Sequence, residues 1–368
     1  MCIRDRVNGA GVVTYTPDDW FSGVDTFDVV VSDGNQTDTS TATVTVTEGA
    51  VVEDRLAGDS RAGTAIEVAN ASFPDGADTV LVARQDAYPD ALTGAPLAFA
   101  LEAPILLTRK DELLPEVAAA IEALGASRVV ILGGVGAVTE DVETSLGAVA
   151  GVATVGRIAG DDRFETGGLV AEELAEVLGS GAATSAYLAE GANADPARGW
   201  PDALSVSSLA AAQGRPILLA TRDRLPDPTG AAITDRGITH VEVIGGAAAV
   251  SDEVMALAEA AAGSAGRTFG ASRYETSAAV AQLGVDAGAH PGVVWFATGL
   301  NFPDALVAGP AVARAGGVML LVHGKRVGGS EVTVAWLDAN TPIESVTLLG
   351  GDGAIAPDVA ADIASRLG

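Results

Sequence analysis

The sequence is short of cysteine, aromatic rings and positive charge. Its one cysteine is Cys2, so no internal disulfide can form. Aromatic residues are 4% of the 368. The cores must therefore be filled by small aliphatic side chains, which suit helices packed closely on parallel strands. Lys and Arg number 21 against 49 Asp and Glu, a formal net charge of −28. That balance excludes the basic footprint nucleic acid requires and disfavours anionic membrane surfaces; its plainest consequence is solubility. No apolar run reaches the ~18 residues of a membrane-spanning helix. H-E-x-x-H, C-x-x-C, phosphate-loop and G-x-S-x-G patterns are all missing. His240, His290 and His323 fall at unrelated places, which excludes a repeated histidine site. No catalytic set, metal site or cofactor is expected, and the chain reads as a non-enzyme.

What is there begins with a β-rich stretch. Residues 1–6 look like a translated sequencing adapter joined to a truncated gene, and the signal peptide is expected to have been lost with the truncation. Residues 7–49 are rich in Thr, Val and Asp. Alternating runs at 11–16, 25–31 and 40–47 read as strands, with Asp33-Gly34-Asn35 as a turn. Three strands make about half a β-sandwich, and the remainder is expected upstream. The stretch resembles the C-terminal half of the cadherin-like and immunoglobulin-like modules repeated in bacterial adhesins. Asp18, Asp19 and Asp25 could serve calcium only with the absent half in place.

After a linker at 50–54 the chain repeats itself. Arg55-Leu56-Ala57-Gly58-Asp59-Ser60-Arg61 returns as Arg157-Ile158-Ala159-Gly160-Asp161-Asp162-Arg163 and as Arg267-Thr268-Phe269-Gly270-Ala271-Ser272-Arg273. Pro-Asp-Ala-Leu occurs at 89–92, 201–204 and 303–306. Strand-like apolar runs follow at 104–107, 216–219 and 318–321. A further run ends each time in a glycine pair: Gly133-Gly134, Gly245-Gly246 and Gly350-Gly351. The repeats are read as 55–154, 155–266 and 267–368. In the first, helices are expected over 64–71, 91–100, 112–124 and 140–148, and strands over 79–83, 105–108 and 129–132. Short strands apolar on both sides suit a parallel sheet covered on both faces. The fold class is therefore α/β, three tandem doubly wound parallel-sheet domains preceded by a partial all-β sandwich.

These landmarks resemble the cell wall-binding repeat 2 family, whose pattern runs R-x-x-G-x-x-R-[YF]-x-T, F-P-D-A-L, P-I-L-L-T and a strand ending in G-G. The likeness covers residues 55–368. It implies three domains around a pseudo-threefold axis and non-covalent anchoring to the cell wall, outside the cell, through an anionic secondary wall glycan. The copies are unequal. Arg163-Phe164-Glu165-Thr166 and Arg273-Tyr274-Glu275-Thr276 keep the family pattern, whereas Arg61-Ala62-Gly63-Thr64 lacks the aromatic and the acid. The second repeat carries an insertion around residues 196–200.

Three sets of residues are candidates for the polymer site. Arg55, Arg61, Arg157, Arg163, Arg267 and Arg273 could fork onto phosphates or carboxylates, or could pair with acids between neighbouring repeats. Asp90, Asp202 and Asp304 could orient those arginines or accept from sugar hydroxyls, or could merely suit the start of a helix. Gly133, Gly134, Gly245, Gly246, Gly350 and Gly351 could cradle an anion with backbone N–H groups, or form only a tight turn. Tyr88, Trp200 and Phe302, each just before Pro-Asp, could stack on sugars or fill a gap. Gly351-Asp352-Gly353-Ala354-Ile355-Ala356 fits a relaxed dinucleotide fingerprint, but no strand follows to supply the ribose acid. Binding of a repetitive polymer by three weak sites is the leading expectation. An α/β enzyme or nucleotide- or sugar-binding protein, and a spacer presenting upstream adhesin modules, are the alternatives.

Overall fold

The computed structural model describes residues 6–7, 13–14, 23–32, 35–46, 52–87, 90–195 and 197–367. Two compact units divide at Val51. The first contains short antiparallel strands β1 (Arg6–Val7) and β2 (Val13–Thr14) and the hairpin of β3 (Gly23–Ser32) with β4 (Thr37–Val46). The hairpin alternates as a two-faced ribbon should. Phe27 pairs across the ladder with Ala42 on a half-buried face, while Val24 and Val30 point to solvent. The Thr41 hydroxyl donates to Asp28 at 2.7 Å on the other face. The expected turn at Asp33-Gly34, the acids Asp18 and Asp19, and Cys2 lie outside the described residues.

The second unit contains the three repeats. The first comprises β5 (Val52–Leu56), α1 (Arg61–Ser72), β6 (Thr79–Arg84), α2 (Gly94–Ala100), β7 (Ile105–Thr108), α3 (Pro115–Ala123), β8 (Arg128–Leu132) and α4 (Glu140–Gly147). The second runs β9 (Thr154–Ile158), α5 (Arg163–Leu178), β10 (Ser185–Ala192), α6 (Pro201–Gln213), β11 (Ile217–Thr221), α7 (Asp227–Asp235), β12 (His240–Ile244) and α8 (Asp252–Ala262). The third runs β13 (Ala265–Thr268), α9 (Arg273–Asp286), β14 (Val293–Thr298), α10 (Pro303–Leu306), α11 (Ala308–Arg314), β15 (Val318–Val322), α12 (Glu331–Ala339), β16 (Ser345–Leu349) and α13 (Pro357–Ala364). Central strands are apolar on both faces and fully covered, as Val80, Leu81, Ile131, Leu188 and Phe296 illustrate. Burying each such large side chain contributes ~1.5–3 kcal/mol.

The sheets cross the sequence repeats. Their strand orders are β7-β6-β8-β9, β11-β10-β12-β13 and β15-β14-β16-β5, all parallel. Each takes three strands from one repeat and its fourth from the next. The last place in the third sheet is taken by β5, the first strand of the unit, so the three repeats close into a ring. Register is the same at every junction: Ile131 faces Arg157, Val243 faces Arg267 and Leu348 faces Arg55. Residues 52–54, read from sequence as linker, thus begin a sheet strand. That strand is half-exposed at Arg55 and exposed at Asp54, so it carries none of the continuous apolar character that marks the central strands.

At the centre, α2, α6 and α11 pack against one another. Ala95, Ser207 and Gly309 are equivalent positions, counted from Pro-Asp-Ala-Leu, and they meet there. A Cβ on Gly309 would come within 2.7 Å of the Ser207 hydroxyl and 2.9 Å of the Ala95 methyl. Small residues let the three helices approach closely on the pseudo-threefold axis.

Candidate functional site

Each sheet ends at its carboxyl edge in three loops, and these loops enclose a groove between one repeat and the next. This is the position, between strands whose connections leave in opposite directions, where open parallel sheets place ligands. The first groove has a volume of about 610 Å³ and is bordered by Arg84, Asp90, Gly134–Ala137 and Gly160–Arg163. The second, about 300 Å³, is bordered by Glu190, Arg198, Asp202, Gly246 and Gly270–Arg273. At the third junction the corresponding residues are Asp304, Gly351 and Arg61.

The arginines of each repeat divide into two roles. Arg55, Arg157 and Arg267 lie on the fourth strand and tie it to the turn of its neighbour. Arg157 donates to the Gly133 carbonyl at 2.7 Å and grips Glu143 through Nε and Nη2 at 3.1 and 2.6 Å. Arg267 donates to the carbonyls of Gly245 and Val250 at 2.7 and 2.9 Å and reaches Asp252 at 3.2 Å. Arg55 donates to the carbonyls of Gly350 and Ile355 at 2.8 and 3.2 Å. Their forks are engaged by the protein itself.

Arg61, Arg163 and Arg273 open the helices α1, α5 and α9. The preceding residue caps each helix: Ser60, Asp162 and Ser272 accept from backbone N–H groups of the first turn. Behind the cap, the N–H of Gly58, Gly160 or Gly270 donates to the buried hydroxyl of Thr64, Thr166 or Thr276. The Gly and Thr of the repeated motif thus build the loop, and the arginine is delivered to the groove. Arg163 donates to the Gly191 carbonyl at 2.9 Å, Arg273 to those of Gly299 at 2.7 Å and Ala197 at 2.9 Å, and Arg61 to that of Gln85 at 3.3 Å. Two of them also lie over an aromatic ring of the preceding repeat, Arg273 at 5.2 Å from Trp200 and Arg61 at 5.9 Å from Phe302. Trp200 and Phe302 are therefore joined to the arginines across the junctions; Tyr88 lies outside the described residues.

Each groove arginine faces the aspartate of Pro-Asp-Ala-Leu in the preceding repeat. Burial pushes the carboxyls of Asp90, Asp202 and Asp304 above the usual range, and Arg163, Arg273 and Arg61 respectively pull them back. Asp202 goes furthest, to about 7, because Glu190 stands beside it and adds to the effect of burial. These carboxylates also explain the first glycine of each pair. A Cβ on Gly133, Gly245 or Gly350 would run into Asp90, Asp202 or Asp304, and the three glycines have φ of +101°, +108° and +87°. Their N–H groups already donate to Ile158, Thr268 and Leu56 on the neighbouring fourth strand, at 2.9, 2.9 and 2.8 Å. The second glycines behave differently. The carbonyls of Gly134, Gly246 and Gly351 accept from the turn that follows, and Gly134 and Gly246 line the grooves.

Glu190 and Arg198 were not among the sequence candidates. Glu190 occupies in β10 the register place of Arg84 in β6, and Arg198 comes from the second-repeat insertion, which was the available signal. Among the described residues, no group of three or more His, Cys, Asp or Glu side chains could hold a metal ion, and no helix is long and apolar enough to cross a membrane.

The family model for Cell wall binding domain 2 (CWB2) matches residues 55–143, 157–255 and 267–360, and that for a Bacterial Ig domain matches residues 5–47. N-acetylmuramoyl-L-alanine amidase LytC of Bacillus subtilis (strain 168) is 27% identical over 79% of this chain and 56% of its own length. Amidase enhancer of the same organism is 30% identical over 75% of this chain and 35% of its own. The chain thus spans about half and about a third of these two relatives. Among solved structures, Cwp6 from Clostridium difficile superposes with a TM-score of 0.76 at 24% identity, covering 99% of this chain and 61% of that one. Cwp8 from Clostridium difficile gives 0.72 at 27% identity, covering 96% and 60%.

Proposed function

The chain belongs to the Cell wall binding domain 2 family, and from that premise we propose that its ring of repeats anchors a bacterial surface protein by holding an anionic wall polymer in the grooves between repeats. The observation that carries this reading is the recurrence, at each junction, of one arginine at a helix start facing one half-buried aspartate of the preceding repeat. Arg61, Arg163 and Arg273 are the cations of the site. Their guanidinium groups are oriented by backbone carbonyls and are not clamped in a close fork by a carboxylate, as that of Arg157 is. Arg55, Arg157 and Arg267 hold the ring together. A chain of net charge −28 can bind a polyanion this way, because screening confines repulsion to ~10 Å while the arginines act at contact. Three weak sites on one polymer could raise avidity by ~10²–10⁴.

The test is co-sedimentation of the full chain with purified walls, before and after acid extraction of secondary polymers. Polymer anchoring predicts binding that is lost on extraction and lost in the Arg163→Ala/Arg273→Ala double variant. Binding that survives extraction would assign the target to peptidoglycan. No binding to walls of several hosts would favour a spacer that presents adhesin modules.

A further inference from the structure

The grooves share a frame but not a surface, and the second carries what the others lack. Immediately after each fourth strand stand Ala57, Ala159 and Phe269. Ala159 lies beside Gly134 in the first groove, and Phe269 lies in the same relation to Gly246 in the second. Its ring carbon Cδ2 sits 3.4 Å from where a Cβ on Gly246 would be. Phe269 is 55% exposed, whereas Phe73, Phe164, Tyr187, Trp200, Trp295 and Phe296 are all buried. In a chain with so few aromatic rings, this one presents a face to solvent at the rim of a groove.

Two guanidinium groups lie in that same groove. Arg198 donates to the Ala248 carbonyl and stands 4.0 Å from Glu190 Oε2, and Arg273 is fixed by the carbonyls of Gly299 and Ala197. The floor holds two acids. Glu190 is 3% exposed, and its Oε1 accepts from Asn193 at 2.6 Å; Asp202 stands beside it. An apolar platform beside Gly246 at the rim, with two cations and two carboxyl groups, one buried and one half-buried, in the cleft, matches three parts of one kind of ligand: the C–H face of a pyranose, an anionic substituent, and ring hydroxyls.

We infer that the groove between the second and third repeats is a site for an anionic sugar, with Phe269 stacking on the ring, Arg198 and Arg273 holding its phosphate or carboxylate, and Glu190 and Asp202 accepting from its hydroxyls. The inference rests on the polymer-binding reading and adds the chemistry of the unit recognised. Phe269 sets specificity here; the arginines supply charge at this groove as elsewhere.

Saturation-transfer NMR on the full chain tests it, with glucose 6-phosphate, glucose, inorganic phosphate and adenosine monophosphate as probes. The expected result is saturation of the sugar ring protons of glucose 6-phosphate, with glucose and phosphate each binding more weakly. Phe269→Ala, a change at an exposed side chain, should weaken glucose 6-phosphate about three- to tenfold and leave phosphate unchanged. Phe269→Trp should restore binding. Equal affinity of wild type and Phe269→Ala for glucose 6-phosphate would overturn the proposal, as would phosphate binding as tightly as the sugar phosphate, or tighter binding of adenosine monophosphate. Wall co-sedimentation of the same proteins separates the two readings. Wild type that sediments while Phe269→Ala is indistinguishable by NMR sinks this inference alone; wild type that does not sediment sinks the anchoring reading.

Discussion

The first and second grooves come from the same motifs, and four of the differences between them change their charge and shape. Where the first has Asp161 and Asp162 at its helix start, the second has Ala271 and Ser272. Ala159 is replaced by Phe269. Arg84, which pairs with Asp86, is replaced by Glu190. The second alone receives Arg198 from an insertion. The first groove is therefore wider and more acidic, and the second narrower with two arginines fixed by carbonyls. What the repeats share is the frame: staple arginine, capped helix, half-buried aspartate and glycine turn. The differences fall at residues the frame does not need.

If the frame is shared, breaking it should cost the same in both places. Gly133→Ala and Gly245→Ala each force a residue with a side chain to positive φ and drive a methyl into a half-buried carboxyl. About 3 kcal/mol of stability should be lost in either case, read by urea denaturation. A cheap substitution at one and a costly one at the other would mean the grooves do not share their construction.

If the surfaces differ, the arginines should not be worth the same. Arg273→Ala should weaken polymer binding about 10–100-fold, the loss of one or two charge-assisted hydrogen bonds. Arg163→Ala, facing more acids, should weaken it about threefold to tenfold. Neither change should move the urea midpoint much, whereas Arg157→Ala, which removes a staple, should. Equal binding losses would erase the distinction between grooves.

The acids sharpen the comparison through pH. Asp202 is raised to about 7 in the folded protein, against an ordinary value near ~3.9. Between those values the folded protein keeps a proton the unfolded chain has released. Stability therefore falls as pH rises through that window and levels off above it. Asp202→Asn removes the fall, so the variant should exceed wild type by about 1–2 kcal/mol at pH 8 and match it near pH 4. Asp90→Asn should show the same sign and a smaller gain, since Arg84 stands where Glu190 does and opposes the shift. Urea denaturation at the two pH values decides; a gain at Asp90 equal to that at Asp202 would remove Glu190 as the cause.

Much of this was legible in the sequence. Central strands announce themselves by continuous apolar runs, and the order of landmarks gives three α/β repeats. The fourth strands were not legible, because polar residues interrupt them: Asp54 and Arg55 in Val52–Leu56, and Thr154 and Arg157 in Thr154–Ile158, where no residue is buried. Nor could the exchange between sheets be read. A strand that joins its own repeat and one that joins the preceding repeat use the same residues. Arg55 and Arg61 look alike as a pair; only the ladder separates them, placing one opposite Leu348 and the other at a helix start. Glu190 escaped notice because a lone acid ending an apolar strand has no pattern to belong to.

The smallest expected effect tests the junctions on the other side of the sheets. On α5 Leu174 is 2% exposed at the junction of the first two repeats. The equivalent residue on α9, counted from the helix-opening arginine, is Gly284. There a cavity of about 240 Å³ opens between the second and third repeats, lined by Leu209, Val280, Ala281 and Met319 among others. A Cβ at Gly284 would meet nothing nearer than Val318 Cγ1 at 3.6 Å, an ordinary contact. Ala in place of Gly within a helix is favoured by ~0.5–1 kcal/mol, and a newly buried methyl adds ~0.8 kcal/mol where it packs. Gly284→Ala should therefore stabilise the ring by about 1 kcal/mol in urea denaturation, with wall binding unchanged because the groove lies at the opposite end of the strands. A loss of stability would mean that α9 needs the glycine to approach its neighbours, and that the cavity is a consequence of that approach rather than a missing leucine.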